Sequence, residues 1–142
     1  MNKVELVQSQ RNIYSRDHFV GGSMNQLGHF KQQIQTINNK TNMEIFQTGL
    51  LWQKVEVIDD AILLITRNKR VPALQALDQK DRITTRLIDQ ALLEEYKERL
   101  KKALVEQLGI DFVTIFKDYD PDTEISVTII IKKGKLTQNL RG

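Results

Sequence analysis

Between residues 78 and 108 apolar side chains recur every three or four positions, and a stretch of that length and regularity dictates what the remaining residues must do. Ile83, Leu87 and Ala91 form one row, and Ile88, Leu92, Tyr96, Leu100, Leu104 and Leu108 form another. Lys80, Arg86, Glu94, Glu95, Lys97, Glu98, Lys101 and Lys102 fall mostly on the opposite side. Gly109 follows the last periodic position, where a left-handed cap costs glycine little. The spacing predicts one long amphipathic helix over 78–108, with the rest of the chain covering its apolar side.

Two hairpins and a first helix are expected to supply that cover. Leu27, Phe30, Ile34 and Ile37 recur at helical spacing over 24–39, and the asparagine-rich stretch 38–42 is expected to end that helix. In 50–58, Leu51, Gln53, Val55 and Val57 alternate with Trp52, Lys54 and Glu56, the period of a strand with one buried face. Asp59 and Asp60 make a turn into a second strand over 61–66. A basic loop over 67–72 and a short apolar connection over 73–77 lead to the long helix. Beyond Gly109, β-branched and aromatic segments over 110–116 and 125–132 flank Asp120, Pro121, Asp122 and Thr123, which favour a turn. The expected fold is α+β, a two-layer αββαββ arrangement: a four-stranded, mainly antiparallel sheet from two hairpins, with two helices on one face. The expected divisions are an N-terminal arm or linker over 1–23, containing Gly21 and Gly22, one domain over 24–133, and a tail over 134–142.

Composition narrows the chemistry. The chain has 142 residues and no cysteine, which removes disulfides, thiolate metal sites and cysteine nucleophiles. No apolar run approaches the roughly 20 residues that span a bilayer, and the N-terminus has no secretory signal pattern, so a cytoplasmic location, peripheral to a membrane at most, is expected. His18 and His29 are the only histidines and lie on either side of the Gly-Gly break, a poor frame for a metal. Asp118, Asp120, Asp122 and Glu124 alternate as in a calcium loop, but Thr123 and Ile129 occupy the positions that need glycine and glutamate. Gly21-Gly22 lacks the lysine and hydroxyl residue of a phosphate loop. The residues point to no metal, no cofactor and no enzyme. Arg67, Lys69 and Arg70, with Trp52 on the neighbouring hairpin and Lys40 and Lys54 as further cations, are the candidate anion- or partner-binding residues.

The order of phrases over residues 51–132 resembles a bacterial family labelled as the Na+-translocating membrane-potential-generating system component MpsC. The phrases are Ile58-Asp59-Asp60-Ala61 in the first hairpin, Val71-Pro72 in the loop, Glu106-Gln107-Leu108-Gly109 at the end of the long helix, and Asp120-Pro121-Asp122-Thr123-Glu124 in the second hairpin. Residues 39–44 and 66–70 depart from glycine-containing phrases in that family. The resemblance implies a non-enzymatic accessory or regulatory protein associated with a membrane system that moves ions or inorganic carbon. A homodimer is the expected assembly and a membrane transport subunit the candidate partner, because a sheet with one helical layer leaves its other face to be covered. The alternative is a small nucleic-acid-binding protein that uses the basic loop.

Overall fold

A computed structural model describes residues 24–134, so the expected arm over 1–23 and the tail from 135 onward lie outside the described residues. The first helix, α1 (Met24–Phe46), continues seven residues past its expected end. The asparagines that favour turns are absorbed: Asn42 Nδ2 donates to the carbonyl of Asn38 at 2.8 Å, and Thr41 Oγ1 donates to that of Ile37 at 2.9 Å. Asn38, Thr41 and Asn42 are buried, which leaves their side chains partners inside the protein and none of the water that would favour a turn. The helix stops at Gln47, whose φ of 58° is left-handed.

Strands β1 (Trp52–Ile58) and β2 (Ala61–Arg67) form the first hairpin around Asp59 and Asp60, with Asp59 at a φ of 52°. The expected connection over 73–77 is instead a short helix, α2 (Pro72–Asp78), begun by a proline whose missing N–H costs nothing at that position. The long helix α3 (Arg82–Leu108) therefore starts four residues later than periodicity suggests. Asp81 is its N-cap, accepting from the Thr84 N–H at 3.1 Å and from the Thr84 hydroxyl at 2.6 Å. Gly109 closes the helix at a φ of 62°. Strands β3 (Phe112–Asp120) and β4 (Ile125–Lys132) form the second hairpin. The four strands are antiparallel in the order β1-β2-β4-β3, so the last strand lies between β2 and β3, and β1 and β3 are the edges.

The helices cover one face of this α+β sheet, with α1 over β1 and α3 over β3. Ile34 and Ile37 of α1, Val55, Ile62, Leu64 and Ile130 of the sheet, and Tyr96, Leu100 and Leu104 of α3 form the core. Only one of the two apolar rows of α3 is used. Ile83 and Leu87 are 77% and 69% exposed, because their row points away from the sheet: Thr85, in the same turn, is fully buried. Lys31 of α1 pairs with Glu56 of β1 at 3.1 Å, both nearly buried.

Among the described residues, the other face of the sheet carries no helix. Register places its positions in cross-strand rows: Trp52, Arg67, Ile125 and Asp120; Lys54, Ile65, Val127 and Asp118; Glu56, whose buried carboxylate is held by Lys31 of α1, with Leu63, Ile129 and Phe116; Ile58, Ala61, Ile131 and Thr114. The middle of this face is apolar and its two edges carry most of the charge. Phe116 stands 60% exposed upon it.

Candidate functional site

Alternation along the strands separates the four predicted site residues. Trp52 and Arg67 face each other across β1 and β2 on the open side of the sheet, where Arg67 lies 3.8 Å from Glu124. Lys69 and Arg70 follow β2 and turn to the helical side, where both line a pocket. Arg70 is buried and committed to intramolecular partners. Its Nη1 lies 2.5 Å from Asp89, its Nε and Nη2 hold both oxygens of Asp78 at 3.0 and 2.8 Å, and its backbone N–H donates to Glu124 at 2.7 Å. Burial works against the Arg70 charge, but these hydrogen bonds and the two carboxylates outweigh it and raise its pKa. The hydrogen bond from Arg70 in turn lowers the Asp78 pKa, against a smaller opposing effect of burial. Arg70 thus fastens the loop to α2 and α3, and the basic loop presents Arg67 and Lys69 rather than three cations together.

The pocket beside Arg70 holds about 40 Å³. Phe46, Val71, Leu92 and Leu93 give it apolar walls, and Lys117, Ser126, Asn68 and Tyr119 line it from the sheet side. Lys117 is on the helix-facing side of edge strand β3 and is half-buried, with its side chain on the pocket lining. Its Nζ donates to Ser126 Oγ and Thr128 Oγ1, each at 3.3 Å, and sits 3.7 Å from the centre of the Tyr96 ring. No carboxylate among the described residues lies within ion-pair distance of it. Burial alone pushes the Lys117 ammonium down to about 7.

A buried polar chain continues from that lysine. Thr66 Oγ1 donates to Asn68 Oδ1 at 2.7 Å, which uses its one proton, so Ser126 is the donor in the 2.5 Å contact between the two hydroxyls. Asn68 Nδ2 donates to Asn42 Oδ1 at 2.7 Å, Asn42 to Asn38, and the Tyr96 hydroxyl also to Asn38 Oδ1. Lys117, Ser126, Thr66, Asn68, Asn42, Asn38 and Tyr96 therefore close a ring that joins sheet, α1 and α3. Burial raises the Tyr96 hydroxyl far above its ordinary range and pushes Tyr119 up to about 12, so both are neutral donors at physiological pH. Tyr119 donates to the carbonyl of Asn68 at 2.9 Å.

The lysine and the hydroxyl row are absent from the residues that sequence reasoning singled out. Their signal was parity. Ser126 and Thr128 alternate with Val127 and Ile129, and Thr66 stands directly opposite Ser126, so a polar row had to lie on one face of the sheet. Comparison with family models, with curated proteins and with solved structures found no match.

Proposed function

We propose that the protein is a non-catalytic binding module that assembles as a homodimer through the open face of its sheet and serves as an accessory or regulatory subunit. The observation that carries this reading is the face itself: Leu63, Ile65, Phe116, Val127, Ile129 and Ile131 stand together with no helix over them among the described residues. Four strands of about eight residues, about 4.8 Å apart and about 3.3 Å per residue, cover roughly 500 Å² in projection, and their side chains expose more. That is the order of the roughly 800 Å² each partner gives to a standard interface.

Charge placement favours a second copy as the occupant. Lys54 on the β1 edge and Asp118 on the β3 edge share one row, as do Trp52 and Asp120. A two-fold axis parallel to the strands lays the β1 edge of one copy over the β3 edge of the other, bringing Lys54 to Asp118 and Trp52 to Asp120. The MpsC resemblance supports a membrane ion or inorganic-carbon transport system as the assembly served.

Sedimentation equilibrium of the full chain tests the dimer. The wild type is expected to be dimeric at micromolar concentration, Phe116→Lys monomeric, and Lys54→Asp combined with Asp118→Lys dimeric again where each single change weakens it. A wild type that stays monomeric at high concentration overturns the reading. Affinity capture from separated membrane and soluble fractions tests the accessory role: a transport subunit supports it, and nucleic acid in its place favours the basic-loop alternative.

A further inference from the structure

The pocket behind the sheet presents an ammonium, that of Lys117, with no carboxylate paired to it among the described residues. Lys117 lies on the opposite side of the sheet from the proposed dimer face, so its role is independent of that interface. A buried ammonium ordinarily sits against a carboxylate, because an uncompensated charge in a low-dielectric interior is costly. Lys117 has the face of the Tyr96 ring at 3.7 Å and two neutral acceptors, Ser126 and Thr128, both at 3.3 Å, where charge-assisted bonds are ordinarily about 2.7–2.9 Å. Its donors are loosely held and can turn towards an anion. Asp89 also lines the pocket, but its carboxylate is taken up by Arg70 at 2.5 Å, as is that of Asp78 at 2.8 Å, and Arg70 itself lines the pocket beside it. Lys69 stands on the pocket lining and adds a second positive group.

The walls define the rest of the ligand. Phe46, Leu92 and Leu93 offer hydrocarbon and no charge, so a bare inorganic anion would leave them unsatisfied and a neutral apolar molecule would leave Lys117 unpaired. A volume of about 40 Å³ takes about three water-sized groups, enough for a carboxylate with one or two carbons behind it. We infer that this pocket binds a small organic monocarboxylate, with the carboxylate on Lys117 and Ser126 and the short alkyl tail against Phe46, Leu92 and Leu93.

Propionate and its neutral isostere propionamide are the probes. The full chain, isotopically labelled, is titrated with each just below neutral pH and followed by amide chemical shifts, with Lys117→Met in parallel. Saturable shifts at the amides around Lys117, Ser126 and Leu92 are expected for propionate, with a dissociation constant in the millimolar range or tighter. Propionamide is expected to bind at least tenfold more weakly, and Lys117→Met to lose at least tenfold for propionate while keeping the wild-type amide pattern elsewhere. Absence of saturable binding at about 50 mM propionate, equal binding of the two probes, saturation mapped to another part of the wild-type fold, or less than tenfold loss in Lys117→Met overturns the inference. The mapping and the probe comparison use the wild type alone and decide the question even if the variant does not fold.

Discussion

Replacing Lys117 with methionine should make the protein more stable at neutral pH and remove a specific part of its pH dependence. The ordinary lysine value of 10.5 falls to about 7 in the folded protein, and that difference of 3.5 (10.5 − 7) corresponds to about 5 kcal/mol at about 1.4 kcal/mol per unit. Relaxation around a buried charge lowers such figures, so about 2–5 kcal/mol is expected. Below pH 7 the lysine is charged in both states and folding bears the whole penalty. Between pH 7 and about 10.5 the unfolded chain holds the proton and the folded protein does not, so wild-type stability contains a term that rises with pH. Methionine carries no proton at any pH and lacks that term. The gain from Lys117→Met should be largest near pH 6 and shrink steadily towards pH 10. Tyr96 and Tyr119, whose raised pKa values withdraw stability above pH 10, are present in both proteins and cancel in the difference. Urea unfolding followed by circular dichroism at unit steps from pH 6 to 10 supplies the comparison. Parallel stability profiles for the two proteins across that range would refute an uncompensated buried ammonium.

Three further substitutions probe the frame. Arg70→Met leaves Asp78 and Asp89 without their cation and should cost about 2–3 kcal/mol, discounted because Asp89 is partly solvated; adding Asp89→Asn should recover part of it, measured as a double-mutant cycle in urea. Leu100→Ala, at a fully buried position of α3, should cost about 2–5 kcal/mol and lower the thermal midpoint accordingly. Gly109→Ala meets no neighbouring atom, so its expected loss of about 1 kcal/mol comes from the left-handed backbone alone, and asparagine at that position should restore much of it.

Apart from the short helix α2, which read as a connection, element types and their order were legible because hydrophobic period is a local property: 3.6 in α3 and 2 in β1 read directly from the residues. Boundaries depended on information that a linear pattern does not hold. Residues 38–42 resemble a helix stop until Asn38 and Asn42 are seen to have buried partners, and these come from Gln53, Asn68 and Tyr96, far along the chain. Asp78 was expected to open the long helix, yet it ends α2 with its carboxylate on Arg70, and Asp81 takes the N-cap of α3. Ile83 and Leu87 fit the helical stripe equally well, but which of two apolar rows turns to the sheet is decided by packing: Thr85 lies between them and is the residue buried in that turn. Of the basic loop, the cationic composition was visible and the fate of each charge was not: burial of Arg70 and the separation of Arg67 from Lys69 follow from strand parity and from acids on two helices. Lys117 was hidden for the same reason, since it reads as part of a polar turn until β3 is seen to run on to Asp120.

The last strand of the sheet, β4, sits in its interior, and that placement constrains how the chain reaches its folded state. The first hairpin can form from neighbours joined by a two-residue turn, but the inner edge of β2 has no mate until residues 125–132 have been synthesised. Until then the nascent chain carries an unpaired strand bearing Ile62, Leu64 and Ile65, together with a long helix whose core side has no complete sheet to rest on. Pairing such as Leu64 with Thr128 joins residues far apart in the chain and must wait for loop closure that local turns do not help. Completion of the sheet is therefore a late event in the folding of this domain, and the final hairpin is the piece that converts two separately marginal halves into one cooperative unit.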